Sequence, residues 1–169
     1  MLVQIPYNRE AAVAYANRWA LSRNPKYANF DGMGGDCTNF ASQCLYAGCG
    51  VMNTTPGTGW YYFSLARRAP AWSGVEELYR FLTTNAQRPS TGPYATEAWD
   101  PQLVQPGDLV QLGDGTGHFY HSPVITRIDA PNQIWVAAHT FDTKDRPLAS
   151  YFYREIRFLH IEGCRKWQS

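Results

Sequence analysis

The sequence predicts an α+β fold, with N-terminal helices packed on an antiparallel β-sheet. Helical periodicity runs through residues 9–85 and then stops. From Pro106 on, short apolar runs alternate with Pro-Gly, Gly-rich and Asp/Asn turns. Helices first and successive strands afterwards is the order of an antiparallel sheet, not of βαβ units. At 169 residues the chain is expected to form one domain, 1–169, with a substantial core.

The elements follow in order. Asn8 caps a first helix whose inner face carries Ala12, Tyr15, Ala16 and Trp19, and Asn24-Pro25 ends it. Residues 24–36 form a loop. Gly34-Gly35-Asp36 then runs straight into a second helix, with Asp36 as a good N-cap. Cys37, Phe40, Ala41, Cys44 and Leu45 give that helix one buried stripe, and Gly48 sits where a left-handed residue would close it. Residues 51–72 are rich in Gly, Thr and aromatics. Trp60-Tyr61-Tyr62-Phe63 reads as a short strand, a groove wall or core packing. Ser73-Gly-Val-Glu76 is a capping box for a third helix bearing Val75, Leu78, Tyr79 and Leu82 and ending near Asn85. Residues 86–104 read as a surface loop bordering the cleft. Strands are expected at 108–112, 121–128, 134–139 and 151–161, with a turn at 129–132.

Composition narrows the function. Apolar content of 44% and charged content of 17% fit a folded protein. A net charge of +1 gives no electrostatic footprint for nucleic acid. No run approaches the length of a membrane span, and a periodic helix beginning by residue 9 leads us to expect no signal peptide. Aromatic content of 15% calls for either a Trp/Tyr-rich core or an aromatic-lined groove.

Chemistry centres on Cys37. A thiol in the first turn of a helix faces free N–H groups and the positive end of the dipole. Its proton is expected to leave more easily there, and the thiolate is the nucleophile. The alternative is one more small residue on the buried stripe. Tyr27 and Asp36, in the loop delivering the cysteine, and Trp60 are the residues expected to meet a substrate. Cys37, Cys44, Cys49 and Cys164 include no C-x2-C pair, so no zinc pattern exists. Cys37 and Cys44 lie roughly 10 Å apart along one helix, too far to bond each other. Cys49 with Cys164, or Cys44 with Cys49, could pair; buried thiols are the preferred reading.

A thiol needs a base, and the base an orienting group. If the turn lies at residues 129–132, partners across the hairpin sum to about 260 or 261, which puts His121 opposite or beside His139. His121 is therefore expected to be the base and His139 the third group, with Asp142 the rival orienter and His118 the rival base. His160 has no evident partner and reads as structural.

With those residues placed, the sequence resembles the putative amidase domain family of Gram-positive bacteria, a branch of the papain-like NlpC/P60 and CHAP group of cell-wall hydrolases. The matching pieces include Tyr7–Ala16, Asn24–Tyr27, Gly35–Leu45, Gly107–Gln111, His121–Thr126 and His139–Asp142. Gly35-Asp-Cys-Thr-Asn-Phe-Ala is specific; Gly107-Asp-Leu-Val alone is weak. Cys49 interrupts an expected Gly pair as Gly48-Cys49-Gly50. The resemblance implies a papain-like, NlpC/P60-type fold and a cysteine amidase or peptidase acting on peptidoglycan peptides. It implies no cofactor, a monomer, and an extracellular or wall-associated location. Two rivals stand beside it: an acyl transferase with the same Cys–His site, and a catalytically silent module that holds glycan or peptide on its aromatics.

Overall fold

The computed structural model describes residues 1–169 and is an α+β protein with an antiparallel sheet, as the sequence order predicts. Its helices are α1 (Arg9–Trp19), α2 (Cys37–Cys49), the single turn α3 (Pro70–Ser73) and α4 (Val75–Gln87). Its strands are β1 (Leu2–Ile5), β2 (Gly92–Ala98), β3 (Leu109–Gly113), β4 (Phe119–His121), β5 (Val124–Asp129), β6 (Gln133–Ala138), β7 (Thr143–Pro147) and β8 (Glu155–Trp167). No helix is long and apolar enough to cross a membrane.

Long strand β8 organises the sheet. β2 runs along one edge of it, while β1 and β3 follow each other along the opposite edge. The order continues β3–β5–β6–β7, with β4 paired to the end of β3. Both faces of the centre are covered. Leu109, Val124, Leu159 and Ile161 join the helices in the main core, and Val110, Leu112, Ile125 and Phe158 form a second cluster on the other face.

Helix α2 sits at the middle. It is closed by Gly50 in a left-handed conformation (φ 73°), not by Gly48, which lies inside the helix against Tyr7. The expected single apolar stripe is an understatement, because Thr38, Asn39, Ser42 and Gln43 are buried too. Each finds a partner, as buried polar groups must. Thr38 meets Ser122, Asn39 accepts from the Trp72 indole, Ser42 accepts from the Trp60 indole, and Gln43 accepts from the Tyr15 hydroxyl.

Several expectations change. α1 stops at Trp19, before Asn24-Pro25, although Asn8 does cap it through Ala11. Asp36 precedes α2 without capping it. No capping box forms at Ser73: Gly74 starts α4, and Ser73 Oγ instead accepts from Arg68. Residues 86–104 contain β2, whose Gly-Pro start hid a strand buried at Gly92–Ala95. The expected strand 121–128 is two strands, broken at Ser122-Pro123. Of the Trp60–Phe63 cluster, Trp60 and Tyr62 join the core, while Phe63 is exposed. Trp60 is fully buried and packs on Trp72 at 4.7 Å, so it is not a substrate contact.

Candidate active site

Two adjacent glycines set the entrance to α2. Gly34 and Gly35 have φ of 96° and 101°, a region L side chains rarely adopt. A Cβ on Gly35 would also stand 3.2 Å from Thr140 Oγ1. That contact matters, because Thr140 Oγ1 accepts the N–H of Asp36 at 2.8 Å.

Asp36 is buried and turned away from the helix it precedes. Its Oδ1 accepts from the Phe30 N–H (2.8 Å) and the Asn39 amide (2.9 Å). Its Oδ2 faces His139 Nδ1 at 2.5 Å, with Arg23 Nε at 3.3 Å. Burial would raise its pKa; hydrogen bonds from His139, Phe30 and Asn39 outweigh burial and hold the carboxyl below its usual value. His139 Nε2 donates to the Trp19 carbonyl at 2.7 Å. The ring lies flat on Phe40, 4.0 Å between centroids. His139 is thus tied to the residue before the cysteine. It is not the group that orients His121. Asp36, buried and fully engaged, is not a substrate contact either.

The expected pairing of His121 with His139 fails for a definite reason. β5 and β6 do pair with sums of 261 and 262, but His121 is not on β5. It belongs to β4, which pairs with β3 opposite Leu112. Asp142 is also committed elsewhere, as both of its oxygens accept from Arg23 (2.7 and 2.9 Å). His118 is exposed in the β3–β4 connection. His160 has the partner the sequence did not reveal: its Nδ1 meets buried Asp108 at 2.7 Å.

Cys37 lies against β4. Its sulfur is 3.9 Å from the Tyr120 carbonyl and 3.7 Å from Thr38 Oγ1. The residue is 6% exposed. Burial pushes the thiol pKa up, against hydrogen bonds from Thr38 and the Ser122 N–H that favour the anion. The negative charge of Asp36 also pushes it up. This reverses the expectation from the helix dipole: desolvation wins, and the resting sulfur is a neutral thiol. All four cysteines are free and buried.

His121 makes no hydrogen bond to Cys37. Its ring packs against Tyr151 at 5.5 Å between centroids. Burial, helped by the positive charge of Arg146, pushes its pKa down to about 4, so the ring is neutral at pH 7. Tyr151 is the shared neighbour. Burial raises its hydroxyl pKa, the charge and a hydrogen bond of Arg146 oppose that, and a charge on Cys37 adds a smaller upward push; the Arg146 guanidinium lies 3.6 Å over its ring. Sequence reasoning missed Tyr151 and Arg146, which arrive from the β7–β8 connection and β7 with no local motif. Tyr27 is half-buried and stacks on Trp72 at 5.9 Å, which makes it the edge of the aromatic core.

Comparison with known proteins agrees with the sequence resemblance at a coarse level. Uncharacterized protein YhbB of Bacillus subtilis (strain 168) is 32% identical over 143 residues, which is 83% of this chain and 43% of that protein. The chain therefore spans about two-fifths of the length of this curated relative. No solved structure matches the chain. Residues 6–161 match the family described as "Putative amidase domain", and the chain belongs to that family.

Proposed function

We propose that this chain is a cysteine amidase or peptidase that hydrolyses an amide bond in peptidoglycan peptides through a thioester. The observation that carries the reading is the placement of Cys37. It starts the central helix and its sulfur rests on the strand that bears His121. Family membership supports amide hydrolysis as the reaction class.

A thiol whose proton is held by burial, resting on the strand that bears a neutral imidazole, defines the order of events. The Cys37 sulfur attacks the amide carbonyl as its proton passes to His121. The carbonyl oxygen becomes an oxyanion, met by free N–H groups at the start of α2, most simply that of Cys37. The tetrahedral species collapses, the C–N bond breaks, and the imidazolium of His121 protonates the leaving amine. Water then attacks the thioester, gives its proton to His121 and releases the carboxylic acid, restoring the thiol. No hydrogen bond restrains the His121 ring, which packs on Tyr151. Catalytic hydrogen bonds are commonly longer before substrate binds. His139 acts one step back: through Asp36 it fixes the residue before the nucleophile.

The family resemblance extends this to a papain-like, NlpC/P60- and CHAP-related enzyme, a single domain, a monomer, and an extracellular or wall-associated location. The burial of Cys37 favours one competitor, a silent binding module. Digestion of purified peptidoglycan separates them. The wild type is expected to create new amine and carboxyl termini, identified by mass, and Cys37→Ala none. Absence of new termini with the wild type, or equal release by Cys37→Ala, would overturn the proposal.

A further inference from the structure

Beside the Cys37–β4 contact lies a pair of groups that the thioester chemistry does not use. Tyr151 follows the turn Leu148–Ser150 and packs against His121. Its hydroxyl is buried and no acceptor takes its proton; the Arg146 side chain beside it can only donate. A buried phenol O–H without an acceptor carries the desolvation penalty of its donor, so it calls for one. Arg146, on β7, covers the ring of the same tyrosine at 3.6 Å.

The arginine is held on one side only. Its Nε donates to Ser150 Oγ at 2.8 Å, and its Nη2 donates to the Ser150 carbonyl at 3.3 Å. Ser150 Oγ in turn donates to the Pro147 carbonyl at 2.7 Å, which fixes the anchor. Nη1 makes no protein hydrogen bond, and no carboxylate forms an ion pair with this guanidinium. The contrast with Arg9, Arg23 and Arg157 is plain: each of those meets an Asp or Glu at 2.6–2.8 Å. A planar guanidinium stacked on an aromatic face and anchored at one edge presents its remaining N–H groups in a fixed direction. That arrangement suits a carboxylate.

We propose that Arg146 and the Tyr151 hydroxyl form a carboxylate-binding subsite next to Cys37, so that the preferred substrate is an amide carrying a free carboxylate near the scissile bond. The proposal rests on Cys37 being the nucleophile and specifies the substrate class that nucleophile serves. Arg146 supplies the charge; Tyr151 supplies a short-range donor and the platform that holds the guanidinium. Both are substrate contacts that set specificity, and neither takes part in proton transfer to the leaving amine.

Two alkylating agents of nearly equal size test this while the natural substrate is still unidentified. Iodoacetate carries a carboxylate; iodoacetamide is its neutral counterpart. Each replaces iodide with the Cys37 sulfur, forming a C–S bond and releasing iodide and the thiol proton. The readout is the ratio of the two labelling rates at Cys37, followed by peptide mass spectrometry at pH 8. Arg146→Met and Arg146→Gln are expected to lower the iodoacetate-to-iodoacetamide ratio about ten-fold, the size of one charge-assisted hydrogen bond. Arg146→Lys should keep most of the ratio, and Tyr151→Phe should lower it about three-fold. An unchanged iodoacetamide rate shows that the thiol's surroundings are intact. An unchanged ratio in both Arg146→Met and Arg146→Gln would overturn the carboxylate subsite and leave the cysteine mechanism standing. Cys37 reacting with neither reagent faster than the three other cysteines would overturn both.

Discussion

The molecule builds the same polar cluster twice. At one end buried Asp108 is met by Arg9 (2.7 Å), His160 (2.7 Å), the Ile161 N–H and the Gln105 N–H. At the other, buried Asp36 is met by Arg23, His139, Asn39 and the Phe30 N–H. Each is an aspartate whose charge is compensated by an arginine, a histidine and backbone or amide donors. They differ in what they hold. The Asp108 cluster ties α1 to β8 and to the turn before β3. The Asp36 cluster ties the loop 24–36 to the end of β6 and ends one residue before Cys37. Identical chemistry is a brace in one place and a mount for the candidate nucleophile in the other. His121 belongs to neither: among the buried or half-buried histidines it alone lacks a carboxylate.

Removing either aspartate should have the largest effect. Asp108→Ala leaves the half-buried Arg9 and His160 without a carboxylate, and Asp36→Ala leaves buried His139 without one while Arg23 keeps Asp31 and Asp142; each change removes a buried charge on which several donors converge and costs about 3–5 kcal/mol. Both should lower the unfolding midpoint in urea by comparable amounts. Well below that midpoint, Asp108→Ala should keep most of the amide-hydrolysing activity and Asp36→Ala should lose it. Equal activity in the two variants would dissolve the distinction between brace and mount.

Acid titration sharpens the contrast. Asp36 has a lowered pKa in the fold, so its contribution is present above the unfolded carboxylate value and is lost as pH falls below about 4. His121 works in a different window. Its folded pKa of about 4 lies below the ordinary 6.5, so the unfolded chain takes up a proton that the folded protein refuses. Stability is full above pH 6.5 and falls by roughly 2–3 kcal/mol on the way down to 4. His121→Phe should flatten that slope in urea titrations at stepped pH, while the loss below pH 4 remains.

The buried polar face of α2 gives a smaller effect. Asn39 joins the Asp36 cluster to the core through the Trp72 indole. Asn39→Ala strands that N–H and should cost about 2–3 kcal/mol in denaturant unfolding. His160→Ala is expected to be the mildest change, about 0.5–1 kcal/mol. Its ring is 20% exposed and Asp108 keeps its other partners.

How much of this was legible varied with the range of the interaction. The second helix and its first residue could be read because Gly34-Gly35-Asp36 and the apolar spacing are local signals. Class followed from the same kind of pattern; the sheet order, with β8 between β2 and β3, did not. Local spacing assigned Thr38, Asn39, Ser42 and Gln43 to no buried face, since their partners come from the break between β4 and β5, from 60–72 and from α1. His139 was misplaced because one break at Ser122-Pro123 moved His121 from the β6 hairpin to β3. The pairing of Asp36 with His139 spans 103 residues and has no sequence signature. The helix dipole alone also gave the wrong sign for Cys37, because a helix end says nothing about burial.

A covalent bond at Cys37 is the most direct signature of this chemistry. Intact-mass measurement after rapid acid quench, with the enzyme in the steady state on an activated ester of a carboxylate-bearing peptide, looks for it. A mass increase equal to the acyl group, mapped to Cys37 and absent from Cys37→Ala, is the predicted result. Turnover of that ester by Cys37→Ala at the wild-type rate, or an acyl group carried on any other residue, would contradict it.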